Sequence, residues 1–404
     1  MGSSRLRYWV LTLVVIAIML NYVDRQIIAL LKPILEQQFG WNDADYGDIT
    51  TFFQLGGTVA VLFAGRFVDR TGLKSGYAWG VGVWSLAEIA HTVTRTVTQF
   101  SAARLVLGVA ESVNTPAAVK SMATWFPQKD RSLALGIMNA APNIGAIATP
   151  LLIPWLALTY GWRETFFITG VAGLVWLVIW LALPKPPKRI EVHGESKPRP
   201  VPWRQLMDDR YTWIMVLGKL MTDPVWWLLL FWAPDFFDHR YHLNMAHIGL
   251  PIATIYLMAM IGAFLGGWLQ SLLIRRGLSV NAARKIPMLI ASFLVLPLPL
   301  VLLTSNYWVA VLLVGTALAG HQAFSTNLFG LAADSFPHRA VGSVIGISAF
   351  AGNLGGLAIL FIAGILLNRY HSYLPLFAYA AIAYLVVLAL INWIAPRLRL
   401  IEEN

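Results

Sequence analysis

The chain contains no cysteine, and only 12% of its 404 residues are charged. The absence of cysteine excludes disulfide bonds, thiol nucleophiles and cysteine-ligated metal sites. The scarcity of charge, together with a hydrophobic content of 57%, excludes a soluble protein, which could not bury so much apolar surface. The apolar residues recur in runs of about 20, the length that crosses a bilayer as a helix. We therefore expect a polytopic helical membrane protein without a large soluble domain.

Hydropathy predicts twelve membrane-spanning helices, which we number as spans 1 to 12. The first apolar run is too long for a signal-peptide core and no cleavage pattern follows it, so we expect it to be retained. A segment rich in proline and charge, residues 185–206, is interpreted as a cytoplasmic linker between an N-terminal half (1–184) and a C-terminal half (207–404). The spans lie near residues 8–31, 46–66, 75–94, 99–124, 131–158, 163–183, 209–235, 246–274, 285–304, 307–334, 341–367 and 374–395.

The formal net charge of +10 follows the predicted membrane topology and does not indicate nucleic acid binding. If the N-terminus is cytoplasmic, most of the 30 lysine and arginine residues fall at inner loops and ends, as the positive-inside rule requires. The cations that remain on the outer side are Lys32, Arg95, Arg163, Arg240 and Arg369. The charge distribution therefore predicts that both termini are cytoplasmic.

The two halves repeat each other at an offset of 210 positions. This offset superposes Phe126-Pro127 on Phe336-Pro337, Gly136-Ile137 on Gly346-Ile347, and Ala141, Asn143 and Gly145 on Ala351, Asn353 and Gly355. It also sets Glu111 opposite His321. Two parallel six-helix repeats are the architecture of transporters whose halves move about a site near the middle of the membrane. We therefore predict an all-α membrane protein of two pseudo-symmetric six-helix halves.

The segment GRFVDRTGLK, residues 65–74, resembles the loop between helices 2 and 3 of the major facilitator superfamily, whose pattern is G-x-x-x-D-R-x-G-x-[KR]. Its glycines allow a tight turn and close helix packing, and Asp69 can cap a helix end while Arg70 pairs with acidic groups in one conformer. In the second half, Gln270-Ser271 stands where an acidic residue is expected, which argues against a symmetric latch. The resemblance implies a gating role for Gly65, Asp69, Arg70, Gly72 and Lys74.

Further segments narrow this resemblance, which covers essentially the whole chain. NYVDR (21–25) and RLVLGVAES (104–112) are similar to the anion:cation symporter branch of the superfamily. Residues 218–234 and 321–343 look like its bacterial carriers of hexuronates and related sugar acids. The resemblance implies twelve helices in the major facilitator fold, protons as the coupling ion and no other cofactor. It also implies that the acids at positions 24 and 111 carry protons and that Arg25 contacts the substrate.

Strongly polar residues are predicted in every third span, namely spans 1, 4, 7 and 10. They are Asp24, Arg25, Arg104, Glu111, Lys219, Asp223, His321, Gln322 and Asn327. In the resembled fold these four helices line the central cavity. Charges inside a membrane are costly and persist where they face a cavity or a partner. The excess of cations suits an anionic substrate, because the planar fork of an arginine donates two hydrogen bonds to one carboxylate.

Asp24 and Glu111 are the candidate proton carriers, and Arg104 is interpreted as their mobile partner. Burial raises the pKa of a carboxyl group and a neighbouring arginine lowers it, so an exchange of partners can change protonation. The alternative is that both acids are permanent countercharges to Arg25 and Arg104. Glu111 and Arg104 stand seven positions apart, about 10 Å along a helix, and cannot easily neutralise each other.

The candidate substrate-binding residues besides Arg25 each have a structural alternative. Lys219 can hold a carboxylate, but Asp223 is four positions away, the spacing of a direct pair. Trp226 can stack on a sugar or anchor the helix at the membrane interface. His321 can bind hydroxyl groups or titrate, since its unperturbed pKa is about 6.5, or it can be a packed, hydrogen-bonded histidine. Gln322 and Asn353 suit hydroxyl recognition, and helix packing is the rival explanation for Asn353.

No other residues carry a predicted chemical role. Glu88 in span 3 and Lys120 in span 4 have none that the sequence supports. His239, His242 and His247 have no spacing typical of a metal site. The missing cysteines and the lack of a serine nucleophile motif argue against an enzyme, and the lack of a soluble domain argues against a receptor.

The sequence therefore predicts a secondary transporter of the inner membrane, a monomer, that takes up a hexuronate such as glucuronate or galacturonate together with protons. Its partners are the anionic sugar acid and the lipid bilayer. Carriage of an aldonate, an aldarate or another organic anion is the alternative within transport, and a non-transporting membrane receptor is the alternative outside it.

Overall fold

The computed structural model describes residues 2–184, 202–336 and 338–397, and within these ranges it contains helices and no strand. Most of the predicted linker, residues 185–201, and Pro337 of the repeat lie outside the described residues. Two short 3₁₀ turns, His91–Val93 and Leu298–Leu303, follow α3 and α11. The helices are α1 Gly2–Phe39, α2 Asp43–Thr71, α3 Leu73–Ala90, α4 Val97–Glu111, α5 Asn114–Trp125, α6 Gln128–Tyr160, α7 Trp162–Ala182, α8 Trp203–Met207, α9 Arg210–Tyr241, α10 Gly249–Arg275, α11 Val280–Val295, α12 Tyr307–Ser335, α13 His338–Tyr370 and α14 Leu374–Ile394.

Every predicted span has a helical counterpart. Ten of the described helices are long and apolar enough to cross a membrane: α1, α2, α6, α7 and α9 to α14. Predicted span 3 corresponds to α3 with its 3₁₀ turn, and predicted span 4 corresponds to α4 and α5 together. Large apolar side chains are exposed on these helices, for example Trp79 and Phe264, as expected where lipid replaces water as the solvent. The predicted all-α polytopic fold is confirmed.

The prediction of one continuous helix over span 4 was wrong. Helix α4 ends at Glu111, and α5 begins at Asn114 after a turn in which the Ser112 hydroxyl donates to the Val109 carbonyl oxygen at 2.7 Å. Pro116 explains the break, because a proline has no N–H and its ring clashes with the carbonyl group four residues earlier, here that of Ser112. Glu111 therefore occupies the last residue of a helix. His321, its counterpart in the repeat, lies inside the uninterrupted α12.

The chain forms two compact units. The first unit consists of residues 1–193 and 231–253, and the second of residues 194–230 and 254–404. In the first unit α2 packs on α4, α1 on α6 and α3 on α7, while in the second α11 packs on α12 and α14. The first unit contains all of predicted spans 1 to 6, and the end of α9 with the start of α10 belongs to it as well. The sequence-based division into 1–184, 185–206 and 207–404 stays a prediction.

Close packing of α2 on α4 depends on Gly108. A Cβ atom at Gly108 would overlap the carbonyl oxygen of Phe53 on α2. We predict that Gly108→Ala forces the helices apart and destabilises the protein by about 1–3 kcal/mol, as overpacking does. A lowered melting temperature of the detergent-solubilised protein would reveal this effect.

The matched control for that substitution is Gly136→Ala in α6, where nothing lies within 4 Å of the added methyl group. Alanine is the better helix former by about 1 kcal/mol, so this variant should be as stable as the wild type or slightly more so. Equal melting temperatures for both variants and the wild type would contradict the role of Gly108.

Candidate functional site

An ion pair joins α1 and α4 in the first unit. Arg25 donates from Nε to Glu111 Oε2 at 2.8 Å. The Glu111 side chain is only 1% exposed, and that of Arg25 is 19% exposed. Arg25 also lies over the rings of Tyr22 and Phe53, with its Cζ atom 5.2 and 5.9 Å from their centroids. The sequence selected both residues, and the structure joins them as partners.

Arg104 is fully buried and contacts the main chain of α1. Its NH1 group donates to the backbone carbonyl oxygen of Asp24 at 2.6 Å, and its Cζ atom lies 5.7 Å from the centroid of the Phe166 ring. Within the described residues it forms no ion pair at 4.0 Å or less. Arg104 and Glu111 do not neutralise each other directly, as their spacing predicted. That Arg104 is the mobile partner of the acids stays a prediction.

The two predicted proton carriers each keep one buried oxygen without a hydrogen-bond partner among the described residues. These atoms are Asp24 Oδ1 and Glu111 Oε1. The side chain of Asp24 is buried, and its charge interacts with those of Arg25, Arg104, Glu88 and Glu111. Asp24, Arg25, Glu88, Arg104 and Glu111 together form what we call the acid–arginine cluster.

In the second unit Lys219 is paired with Asp223. Its Nζ atom donates to Asp223 Oδ1 at 3.0 Å and to Ser325 Oγ at 3.0 Å, and it lies 4.1 Å from the centroid of the Phe329 ring. The residue is buried. This arrangement corresponds to the self-neutralising pair that the i, i+4 spacing allowed. A substrate carboxylate would therefore compete with Asp223 for the ammonium group.

His321 is packed and hydrogen-bonded. A 2.7 Å hydrogen bond joins its Nδ1 atom to the hydroxyl oxygen of Tyr384, and the Tyr384 hydroxyl also lies 3.3 Å from the Thr222 carbonyl oxygen. Trp226 stacks on the His321 ring at 5.7 Å and contacts the edge of Tyr256. Trp226 is thus part of an aromatic group inside the second unit. Stacking of Trp226 on a sugar, like its alternative role as an interfacial anchor, stays a prediction.

Gln322 and Asn353 are half-buried on α12 and α13. Asn353 stands beside Gly352, where a Cβ atom would overlap the carboxylate of Asp223, and near Gly355, where it would overlap the carbonyl oxygen of Leu220. The glycines beside Asn353 therefore allow α13 to pack closely on α9. Close helix packing is the explanation that rivals hydroxyl recognition for Asn353. Hydroxyl recognition by Gln322 and Asn353 stays a prediction.

One end of the first unit holds a buried lysine that the sequence did not select. Lys32 was counted as an outer cation, but it is fully buried and donates to three carboxylates. Its partners are Glu36 at 2.7 Å, Asp43 at 2.8 Å and Asp235. His239 Nδ1 lies 3.1 Å from Asp235. The i, i+4 spacings of Lys32 with Glu36 and of Asp235 with His239 were the signals of this group in the sequence.

Glu36, Asp235 and His239 lie close enough to resemble a metal site, with ligand atoms within 4.8 Å of one another. Both carboxylates already accept hydrogen bonds from the Lys32 ammonium group, which supplies the positive charge that a metal ion would bring. We therefore interpret the group as an ion-pair network.

Comparison with known proteins identifies the family. Residues 14–359 match the family model described as Major Facilitator Superfamily. The chain belongs to the major facilitator superfamily. It is therefore a membrane-spanning transporter and not an enzyme.

Relatives within the superfamily align along most of this chain. The hexuronate transporter of Escherichia coli K12 is 27% identical over 96% of this chain and 93% of its own length. The galacturonate transporter of Dickeya chrysanthemi is 29% identical over 75% of this chain and 93% of its own length. The D-galactonate transporter of Escherichia coli O6:H1 is 26% identical over 96% of this chain and 94% of its own length.

Two solved structures share the fold. A bacterial homologue of the human lysosomal transporter Spinster, in an inward-facing and occupied conformation, has a TM-score of 0.75 at 19% identity and covers 97% of both chains. A D-xylose-proton symporter has a TM-score of 0.75 at 13% identity and covers 96% of this chain and 97% of its own. At these identities the likeness concerns the fold alone.

The superfamily loop motif adopts a tight turn between α2 and α3. Gly72 has a φ of +84°, a conformation that favours glycine, whereas nothing lies within 4 Å of a Cβ atom at Gly65, so close packing does not require that glycine here. Asp69 pairs with Lys120 on α5 at 2.7 Å, Lys74 donates to the Leu183 carbonyl oxygen, and Arg70 is exposed.

The Asp69 contact supplies the role that sequence reasoning missed for Lys120. Because the Asp69 side chain is 72% exposed, the pair contributes at most about 1 kcal/mol. The gating function of the motif stays a prediction.

Proposed function

We propose that this protein is a proton-coupled symporter that imports a hexuronate, such as glucuronate or galacturonate, across the inner membrane by alternating access. The observation that carries the proposal is the buried ion pair of Arg25 with Glu111. Relatives that are named as transporters of hexuronate, galacturonate and D-galactonate support the choice of substrate class.

The Arg25–Glu111 pair offers a direct way to couple proton and substrate. While Glu111 is ionised, its carboxylate occupies the guanidinium group of Arg25 at 2.8 Å. A proton on Glu111 removes that charge, and the carboxylate of the sugar acid takes its place on Arg25 through charge-assisted hydrogen bonds. Arg25 is then neutralised in both states, so no uncompensated buried charge is formed. Binding of the anion and of the proton therefore require each other, which is the condition for symport.

Asp24 is the second proposed proton carrier. It precedes Arg25 on α1, and Arg104 is anchored on its backbone carbonyl oxygen. A change in the ion pair of Arg25 would displace this part of α1 relative to α4, and Arg104 is the side chain placed to follow it. In the second unit, Lys219, Trp226, His321, Gln322 and Asn353 are the proposed substrate contacts.

Uptake into proteoliposomes with a proton gradient directed inward tests this function. We expect glucuronate or galacturonate to accumulate, and collapse of the gradient with a protonophore to abolish accumulation. Each pH unit is worth about 1.4 kcal/mol per proton, which corresponds to about tenfold accumulation. A neutral hexose is the matched control substrate and should not accumulate.

The same assay separates the alternatives for the substrate. Galactonate and galactarate, added as competitors, distinguish an aldonate or aldarate carrier from a hexuronate carrier. Accumulation of either acid in preference to both uronates would overturn the hexuronate assignment while leaving proton coupling in place. Uronate uptake that ignores the proton gradient would overturn the coupling.

A further inference from the structure

The hydrogen bonds of His321 determine which of its two ring nitrogens carries the proton. The Nδ1 atom lies 2.7 Å from the Tyr384 hydroxyl oxygen, and that oxygen lies 3.3 Å from the Thr222 carbonyl oxygen. A carbonyl oxygen only accepts hydrogen bonds, so the single proton of the Tyr384 hydroxyl group is donated to Thr222. The hydroxyl oxygen then accepts at its other contact, and His321 Nδ1 is the donor.

His321 is a neutral imidazole in this arrangement. The residue is 4% exposed, and among the described residues no carboxylate oxygen lies within 4.0 Å of its ring nitrogens. A buried cation without such a partner is costly, so the ring carries one proton and not two. Because that proton is on Nδ1, the Nε2 atom presents a lone pair and acts as a hydrogen-bond acceptor.

Packing within the second unit holds the ring of His321 in one orientation. Trp226 on α9 stacks on this ring at 5.7 Å, and Tyr384 on α14 contacts it edge-on at 6.1 Å. Tyr384 is fully buried, and its ring also packs against Phe324 at 5.3 Å. Rotation of the imidazole by 180° would place a carbon atom opposite the Tyr384 hydroxyl group. The hydrogen bond and the packing therefore favour the same orientation.

An acceptor at Nε2 selects the kind of ligand group that binds there. An ionised carboxylate has only lone pairs and would face the lone pair of Nε2 without a proton between them, whereas a hydroxyl group has a proton to donate. Ser325 lies four positions after His321 on the same face of α12, and it accepts from Lys219 Nζ at 3.0 Å. Lys219 offers the charge for a carboxylate, whereas His321 suits a hydroxyl group.

We propose that Tyr384 is a positioning residue that presents Nε2 of His321 as the acceptor for one hydroxyl group of the sugar acid. This inference rests on the proposed function, because it assigns a ligand group to one of the proposed substrate contacts. Tyr384 acts through the proton on Nδ1. Such a site discriminates against a ligand in which that hydroxyl group is replaced by a group that cannot donate, because a buried acceptor is then left unpaired.

Nitrogen-15 NMR of the full-length protein labelled at histidine tests the position of the proton without substrate or gradient. We expect His321 to give the signals of a neutral ring with the proton on Nδ1, which is the minor form of neutral histidine in water, and His321→Gln identifies these signals by their loss. In Tyr384→Phe, Nδ1 loses its acceptor, so we expect the proton on Nε2. A wild-type proton on Nε2, or a proton that stays on Nδ1 in Tyr384→Phe, overturns the proposal.

The matched control is Tyr379→Phe. Tyr379 also lies on α14, and its hydroxyl group donates to the adjacent carbonyl oxygen of α9, that of Met221, at 2.7 Å. This variant loses one hydrogen bond between the same two helices, but it should leave the proton of His321 on Nδ1. A proton that moves to Nε2 in both variants would assign the effect to packing of α14 and overturn the role of Tyr384.

Uronates in which fluorine replaces one hydroxyl group test the assigned ligand group, because fluorine accepts a hydrogen bond but cannot donate one. Isothermal titration compares glucuronate with its monofluoro analogues. We expect one analogue to bind the wild type at least about 5-fold more weakly than glucuronate. This ratio should fall in Tyr384→Phe, where Nε2 becomes a donor, and persist in Tyr379→Phe.

The outcomes of the titration separate this inference from the transport function. An unchanged ratio in Tyr384→Phe, or no analogue that binds the wild type more weakly, overturns the assignment of the hydroxyl group to His321. A wild-type protein that binds no glucuronate contradicts the proposed function and with it the assigned ligand group, while the NMR spectra decide the role of Tyr384 separately.

Discussion

Substitution of Glu111 by glutamine is expected to abolish proton-driven accumulation while leaving the exchange of internal for external substrate intact. Glutamine carries no charge and cannot bind the proton, so Arg25 loses the carboxylate that occupies it at 2.8 Å. The sugar acid can then bind Arg25 without a proton. In proteoliposomes the wild type should concentrate the uronate about tenfold per pH unit and coupled proton. The variant should only equilibrate it.

The control for this experiment is Glu164→Gln, which removes an exposed acid in the first turn of α7 and should preserve accumulation. Counterflow of labelled uronate measures exchange and shows that the Glu111 variant is folded. Intact gradient-driven accumulation by Glu111→Gln would exclude Glu111 as a proton carrier.

Removal of the Arg25 side chain is expected to weaken uronate binding by at least about 30-fold. Truncating one partner of a buried charge pair costs about 2–5 kcal/mol, and every 1.4 kcal/mol is a factor of ten in affinity. Arg25→Lys retains the charge but lacks the planar fork, so we expect a loss between that of alanine and the wild type. Isothermal titration of detergent-solubilised protein with glucuronate and galacturonate measures both.

Arg95→Ala is the matched control for these variants, because Arg95 is an exposed arginine in the loop before α4. It should bind uronate with the affinity of the wild type. If Arg25→Ala retains that affinity as well, the carboxylate of the substrate binds elsewhere, and Lys219 becomes the first group to test.

The fold was accessible from the sequence because twenty-residue apolar runs leave few alternatives to membrane-spanning helices. One predicted span, however, is divided into two helices. The helix of span 4 is interrupted directly after Glu111 because of Pro116. Hydropathy does not detect this break, because the residues on both sides are apolar enough to lie in a membrane. The proline itself was the available signal, since its effect on the carbonyl group four residues earlier is predictable.

The site was accessible only in part. Asp24, Arg25, Arg104 and Glu111 stand out because charges are rare in apolar spans, but their pairing depends on how α1 and α4 are rotated against each other. The structure pairs Glu111 with Arg25 and places Arg104 on a backbone carbonyl group. Helix rotation is set by packing over the whole first unit, which a pattern along one span does not encode.

Lys32 illustrates the same limit over a longer distance. Its acidic partners come from positions 36, 43 and 235, so only the first is close in sequence. A count of loop charges assigns Lys32 to the outer surface, whereas tertiary contacts bury it completely. No role could be assigned to Glu88 from the sequence, because Asp24 and Arg104, with which its charge interacts, belong to other helices.

The exchange of partners by Arg25 is the central claim, and the number of protons taken up on substrate binding tests it most directly. Glucuronate or galacturonate is added to solubilised wild-type protein in a weakly buffered solution, and a pH indicator records the protons bound. At a pH where Glu111 is ionised before binding, we predict uptake of about one proton per bound uronate, and none in Glu111→Gln. Uronate binding by the wild type without proton uptake would contradict the account.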